Sequence, residues 1–222
     1  MRVTAGLARR ALRWSSWAAV VALSALIVVN SLPYFSLRTN FAFLVERGAL
    51  VRETAWRACF YAHVFGGLVC LATGPFLVWG ALLRRATWLH RVLGRAYVMA
   101  VLGCGGPAGM YLALRARGGA AGVLGFLVLG VLWIATTARG VQLVLRGEIA
   151  AHRRWMLRSY AVALSAVFFR VLFVALPLAG VGGDASYVVS LWASLAVSVF
   201  AGEVLARGWP TRPATSLRGV TT

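Results

Sequence analysis

Residues 123–145, VLGFLVLGVLWIATTARGVQLVL, carry one charged side chain, Arg139. The hydrocarbon core of a bilayer is about 30 Å thick and takes roughly 20 apolar residues of α-helix to cross, so this run reads as a membrane span. Working outward from it, five more runs of the same kind occupy 14–35, 57–82, 91–114, 158–179 and 186–206. The whole chain has that character. Of its 222 residues 61% are hydrophobic and only 13% charged, against about 45–50% and 25% in soluble domains, and a water-soluble core has no room for the excess. The predicted fold class is therefore all-α, a polytopic membrane helix bundle of six transmembrane helices.

Charge sets the orientation. All 23 basic residues are Arg, against 5 acidic residues, for a formal net charge of +18. They are scattered in short groups between the apolar runs instead of being gathered on one domain, which argues against nucleic acid as a partner. Cytoplasmic loops of membrane proteins carry the excess of basic residues. Fourteen Arg fall on the side that holds both termini and six on the other, so both termini are expected in the cytoplasm and the protein in the inner (plasma) membrane. The remaining Arg95, Arg139 and Arg170 lie within spans, and are expected to point into the bundle to avoid the cost of a lipid-facing charge. The domain reading is a basic N-tail at 1–13, a six-helix domain at 14–206 and a disordered C-tail at 207–222. Arg2, Arg9, Arg10 and Arg13 ahead of the first run could start a signal peptide, but an A-x-A site is missing and the run continues through Leu32, Tyr34 and Phe35, so it reads as an uncleaved span.

Soluble-enzyme signatures are absent: no H-E-x-x-H, G-x-S-x-G, phosphate loop or dinucleotide fingerprint. Glu46 and Glu53 share the first outer loop, while Glu148, Asp184 and Glu203 fall in an inner loop, an outer turn and the last inner end, which argues against paired-carboxylate hydrolysis and leaves any other catalysis open. Cys59, Cys70 and Cys104 form no C-x-x-C pair and read as small packing residues.

Three His and the Arg close to or inside the spans remain as candidates, because ionisable groups are costly in a bilayer. His90 opens the third run and His152 precedes the fifth. One reading is interfacial, with imidazole and guanidinium groups bonding lipid phosphates. The other makes His90 and His152 the axial ligands of one b-type haem, with Arg91, Arg95 and Arg158 pairing its propionates. A three-His zinc site is a weaker third reading, since His63 falls most of a bilayer away. In the second run His63, Gly67, Cys70 and Gly74 recur at the helical period, giving either close helix packing or room for a flat ligand beside His63. Arg170 lies at a depth similar to His63 and needs an acceptor, for which the candidates are a carbonyl freed at a kink around Gly103 to Gly109, an anionic ligand, or neutral His63.

His63 with Gly74-Pro75-Phe76, His90-Arg91-x-x-Gly94-Arg95-x-Tyr97, His152-x-x-Trp155-Met156-x-Arg158-Ser159-Tyr160 and finally Arg170 together resemble the bacterial predicted membrane proteins called domain of unknown function 2306. That resemblance implies a multi-helix membrane protein and names no reaction. A looser likeness is to four-helix transmembrane cytochromes b, which place His on four successive helices. Here the fourth span has none, which leaves at most one bis-His haem, between His90 and His152. Two functions follow as expectations: a haem b electron-transfer component in the lipid bilayer, fed by a quinol or a cytoplasmic donor, or a non-catalytic protein or transporter whose Arg and His clusters bind an anionic lipid or small anion.

Overall fold

The computed structural model describes residues 2–78 and 86–208. The expected end of the second span beyond Val78, with Arg84 and Arg85, and the tail from Trp209 onward lie outside the described residues. Within them the chain is helical, with no strand. Six helices are long and apolar enough to cross a membrane: Trp14–Ser36, Thr54–Leu77, Thr87–Ala113, Gly119–Leu145, Ile149–Leu178 and Gly183–Arg207. They are called the first to sixth spans below. Large apolar side chains cover the outside, including Phe200 at 72% exposure and Val174 at 68%. Water would penalise such a surface, whereas lipid accepts it.

Consecutive spans pack against each other, and the second also meets the fifth, so spans two to five form a four-helix core. The first span leans on the second, and the sixth on the fourth and fifth. Six spans bring the start of the first and the end of the sixth to one end, called here the terminal end. The opposite end is closed by more than a loop. Between the first two spans a short helix, Ala42–Glu46, and a 3-10 turn, Gly48–Arg52, bury Leu44 and Val51 against Trp56 and Phe60.

Two irregularities position the functional side chains. The third span is α-helical over Thr87–Met99, widens to a π-helix over Ala100–Gly105, and resumes as α-helix over Gly106–Ala113. The kink expected from the glycine cluster and Pro107 thus takes the form of a π-turn, a geometry in which carbonyls shift away from their usual acceptor role within the helix. The fifth span breaks at Leu164 into Ile149–Ala163 and Ser165–Leu178. Before it, the reversal at 146–148 turns on Gly147, whose φ of +76° is a left-handed conformation that side chains resist.

The third and fifth spans begin earlier than their apolar runs, at Thr87 and Ile149, so His90 and His152 are helical residues and not loop residues. Arg139 departs from expectation. It is exposed and bonded to Gln142, one turn away near the terminal end, and takes no part in the core.

The sixth span packs through a stripe the apolar pattern conceals. Ser186, Ser190, Ser194, Ser198, Gly202 and Ala206 recur every four residues and are all buried. Small residues at that spacing let helix backbones approach closely, and a Cβ on Gly202 would lie 3.0 Å from that of Ala161. Ser190→Leu is expected to cost about 1–3 kcal/mol through overpacking, with Val189→Leu, at 46% exposure, nearly silent. Thermal unfolding in detergent checks the pair, and equal melting points would reject this interface.

Candidate functional site

Near the terminal end, the third, fourth and fifth spans and the end of the second enclose a cavity of about 650 Å³. That is within the range of about 300–1,000 Å³ typical of small-molecule and cofactor sites. His90, Arg91 and Arg95 enter from the third span, and His152 and Arg153 from the fifth, while Leu77, Val98, Val141 and Met156 are among its apolar walls.

The two imidazoles are close enough to interact electrostatically but are held differently. His152 Nδ1 lies 2.8 Å from the carbonyl oxygen of Gly140 on the fourth span. A carbonyl only accepts, so Nδ1 carries a proton, and in the neutral imidazole Nε2 is the nitrogen with the lone pair. His90 buries its own Nδ1 with no partner among the described residues, so no hydrogen bond fixes its tautomer.

The quoted motifs find structural reasons around this cavity. Gly94 and Gly74 line it, and a side chain on Gly74 would overlap the ring of Tyr160. A Cβ on Gly140 would collide with the Met156 sulfur. Beneath the cavity, Tyr97 Oη lies 2.9 Å from Ser159 Oγ, which lies 2.7 Å from Thr137 Oγ1, and Thr137 donates to the Trp133 carbonyl at 2.7 Å. This buried chain ties the third, fifth and fourth spans together. Its members can all be satisfied at once, which in a low-dielectric interior fixes the register of the helices.

Arg158 stands apart from the cavity lining. Its Nε donates to Glu203 on the sixth span at 2.8 Å, its guanidinium lies over Trp155, and Arg207 shares the same carboxylate at 2.6 Å. Arg158 is thus engaged in holding the sixth span.

Toward the opposite end lies a second cavity of about 450 Å³, and it brings His63 and Arg170 together. His63 Nδ1 donates to the carbonyl of Gly105, at the end of the π-turn, over 2.8 Å. Gly109 leaves the imidazole its space, since a Cβ there would fall 2.7 Å from Nδ1. Gly67 and Cys70 line the same cavity, and a Cβ on Gly67 would meet nothing within 4 Å. The small-residue face of the second span is therefore open beside His63. Only Gly74, at its far end, is in tight packing.

The structure thus joins His90 with His152 and His63 with Arg170 in two separate places. A three-His cluster does not form, and among the described residues no group of three or more His, Cys, Asp or Glu is placed to hold a metal ion. Gly140 and Gly105, the carbonyl acceptors, were not singled out as site residues from sequence, nor were Arg153 and Arg47. Gly105 sits in the flagged glycine cluster and Arg153 beside His152. Gly140 has no local signal, because its role arises from the helix reversal that follows it.

Comparison with known proteins agrees with this architecture. The family model described as "Predicted membrane protein (DUF2306)" matches residues 60–206. No curated protein and no solved structure matches the chain, and the likeness to cytochromes b is not shown by these comparisons.

Proposed function

The chain belongs to the DUF2306 family of predicted membrane proteins, and from that premise we propose that it is a b-type haem-binding, transmembrane electron-transfer component. The observation that carries the reading is the pairing of His90 and His152, from two different spans, in one apolar cavity rimmed by Arg91, Arg95 and Arg153. The donor set fits the group. Imidazole ligands of metals almost always donate their other ring nitrogen to a carbonyl or carboxylate, which orients the ring and raises its basicity, and His152 does this to Gly140. Guanidinium groups match the geometry of propionate carboxylates, and the apolar walls exclude water.

Bound haem supplies a one-electron redox centre. His90 and His152 would hold the iron, and the three Arg at the rim would take the propionates. Arg158, engaged with Glu203, serves the bundle. Meanwhile the Tyr97–Ser159–Thr137 chain keeps the third and fifth spans in register, so that the two imidazoles hold their relative positions. Electrons would come from a membrane quinol or a cytoplasmic donor. The excess of Arg toward the terminal end supports placing that end in the cytoplasm and the protein in the plasma membrane.

The test is the absorption spectrum of the full chain purified from haem-replete cells. A Soret band that shifts on dithionite reduction, with near-stoichiometric haem, is the expected result. A colourless protein that also fails to take up added haemin rejects the reading.

A further inference from the structure

The second cavity carries a charge problem of its own, independent of haem. Four guanidinium groups line it: Arg47, Arg115, Arg117 and Arg170. Toward its mouth two of the four are paired with carboxylates, while Arg47 donates to the Arg115 carbonyl at 3.4 Å and lies over Phe43. Arg117 holds Glu46 at 3.0 Å and Asp184 at 3.2 Å, and Arg115 pairs with Glu53 at 3.6 Å. Four guanidiniums against three carboxylates leave one positive charge.

Arg170 is the one of the four that lies inside a span, an exposed residue in the middle of Ser165–Leu178. Among the described residues Arg170 has no carboxylate partner. Its Nη1 donates to the Ala166 carbonyl, one turn back on its own helix, at 3.0 Å, and this single bond leaves most of the five donors of the fork unused. An Arg inside the membrane cannot shed its proton, so compensation must come from outside the chain.

His63 refines the requirement. It lines the same cavity as Arg170, and with Nδ1 donated to Gly105 its neutral form presents Nε2 as an acceptor. The walls are aromatic. Phe126, Phe169, Phe173 and Tyr187 form one cluster with ring centroids 5.3–6.2 Å apart, and Trp133 and Phe60 also line the space. One excess positive charge beside apolar, aromatic walls suits a ligand with one negative charge and an apolar body.

We propose that the second cavity binds a singly charged anionic amphiphile, its carboxylate or phosphate group bonded to Arg170 and its apolar body against the aromatic walls. Fatty acids and phosphate-bearing lipids both offer that chemistry.

The test titrates the full-length protein, in a neutral detergent, with dodecanoate, dodecyl phosphate, dodecanol and inorganic phosphate. On the wild-type protein one of the two anionic amphiphiles is expected to bind at least tenfold more tightly than dodecanol. The tighter of the two identifies the headgroup. Arg170→Gln is expected to remove that preference, while Arg153→Gln, in the first cavity, keeps it. Equal affinity for dodecanol and both anions would overturn the proposal, as would a preference unchanged in Arg170→Gln. Inorganic phosphate binding as tightly as dodecyl phosphate would overturn the amphiphilic part. The comparison of probes on the wild-type protein decides the matter even where Arg170→Gln fails to fold, and haem content enters none of these readouts.

Discussion

His152→Ala is expected to abolish the six-coordinate bis-His spectrum of the haem-loaded protein, while His63→Ala leaves that spectrum as in wild type. The two variants are matched in structural damage. Each imidazole donates Nδ1 to a glycine carbonyl on a neighbouring helix at 2.8 Å, so each loses one hydrogen bond, a net contribution of about 0.5–1.5 kcal/mol. They differ in the cavity that the freed Nε2 faces. If the spectrum arises from iron held between His90 and His152, only His152→Ala and His90→Ala affect it. The remaining imidazole cannot by itself give a six-coordinate bis-His spectrum. Equal loss in His63→Ala would point to general misfolding, and full retention in both His152→Ala and His90→Ala would sink the haem assignment. Visible spectra, normalised to protein and read beside thermal melts of each variant, make the comparison.

The spans were legible because a bilayer imposes one simple length rule, and six runs of the chain satisfy it. Their ends were less so. His90 is followed by Arg91, and His152 by Arg153 and Arg154, which weaken the hydropathy run, yet helical hydrogen bonding continues through them, so the third and fifth spans begin at Thr87 and Ile149. Arg139 was expected in the core because it lies within an apolar run, but Gln142 one turn on gives it a partner at the helix surface. Arg170 has no comparable polar neighbour on its helix, and its approach to the second span follows from the topology. The pairing of His90 with His152 required knowing that the third and fifth spans share a cavity, which short connections alone do not determine. Glycine was the least legible element. The second span displays Gly66, Gly67 and Gly74, and periodicity selects Gly67 and Gly74 because they fall on the face of His63. It cannot tell which neighbour each meets. The sixth-span serines were overlooked for a related reason: they interrupt no apolar run strongly enough to be noticed, although their four-residue spacing is visible in the sequence.

Gly66 gives a large expected packing effect where two spans cross backbone to backbone. A Cβ placed there would lie 2.7 Å from Gly105 Cα, 2.8 Å from the Ala100 carbonyl oxygen and 2.9 Å from Gly105 N. All three are backbone atoms of the π-turn, so no rotamer change relieves the clash. The second and third spans must move apart or the turn must rewind. Overpacking of a core commonly costs about 1–3 kcal/mol, and at a backbone-to-backbone crossing Gly66→Ala is expected at or above the top of that range. It also displaces the Gly105 carbonyl to which His63 donates, so the variant should lose the anion preference of the second cavity along with its stability. Gly67→Ala is the internal control, one residue along the same helix, where the added methyl meets no atom within 4 Å. Thermal unfolding of both variants in the same detergent is the measurement. A lower melting point for Gly66→Ala, with Gly67→Ala within about 0.5 kcal/mol of wild type, is the expected result. If the two melt together, the second and third spans do not cross at Gly66 and Gly105, and the position assigned to His63 goes with that crossing.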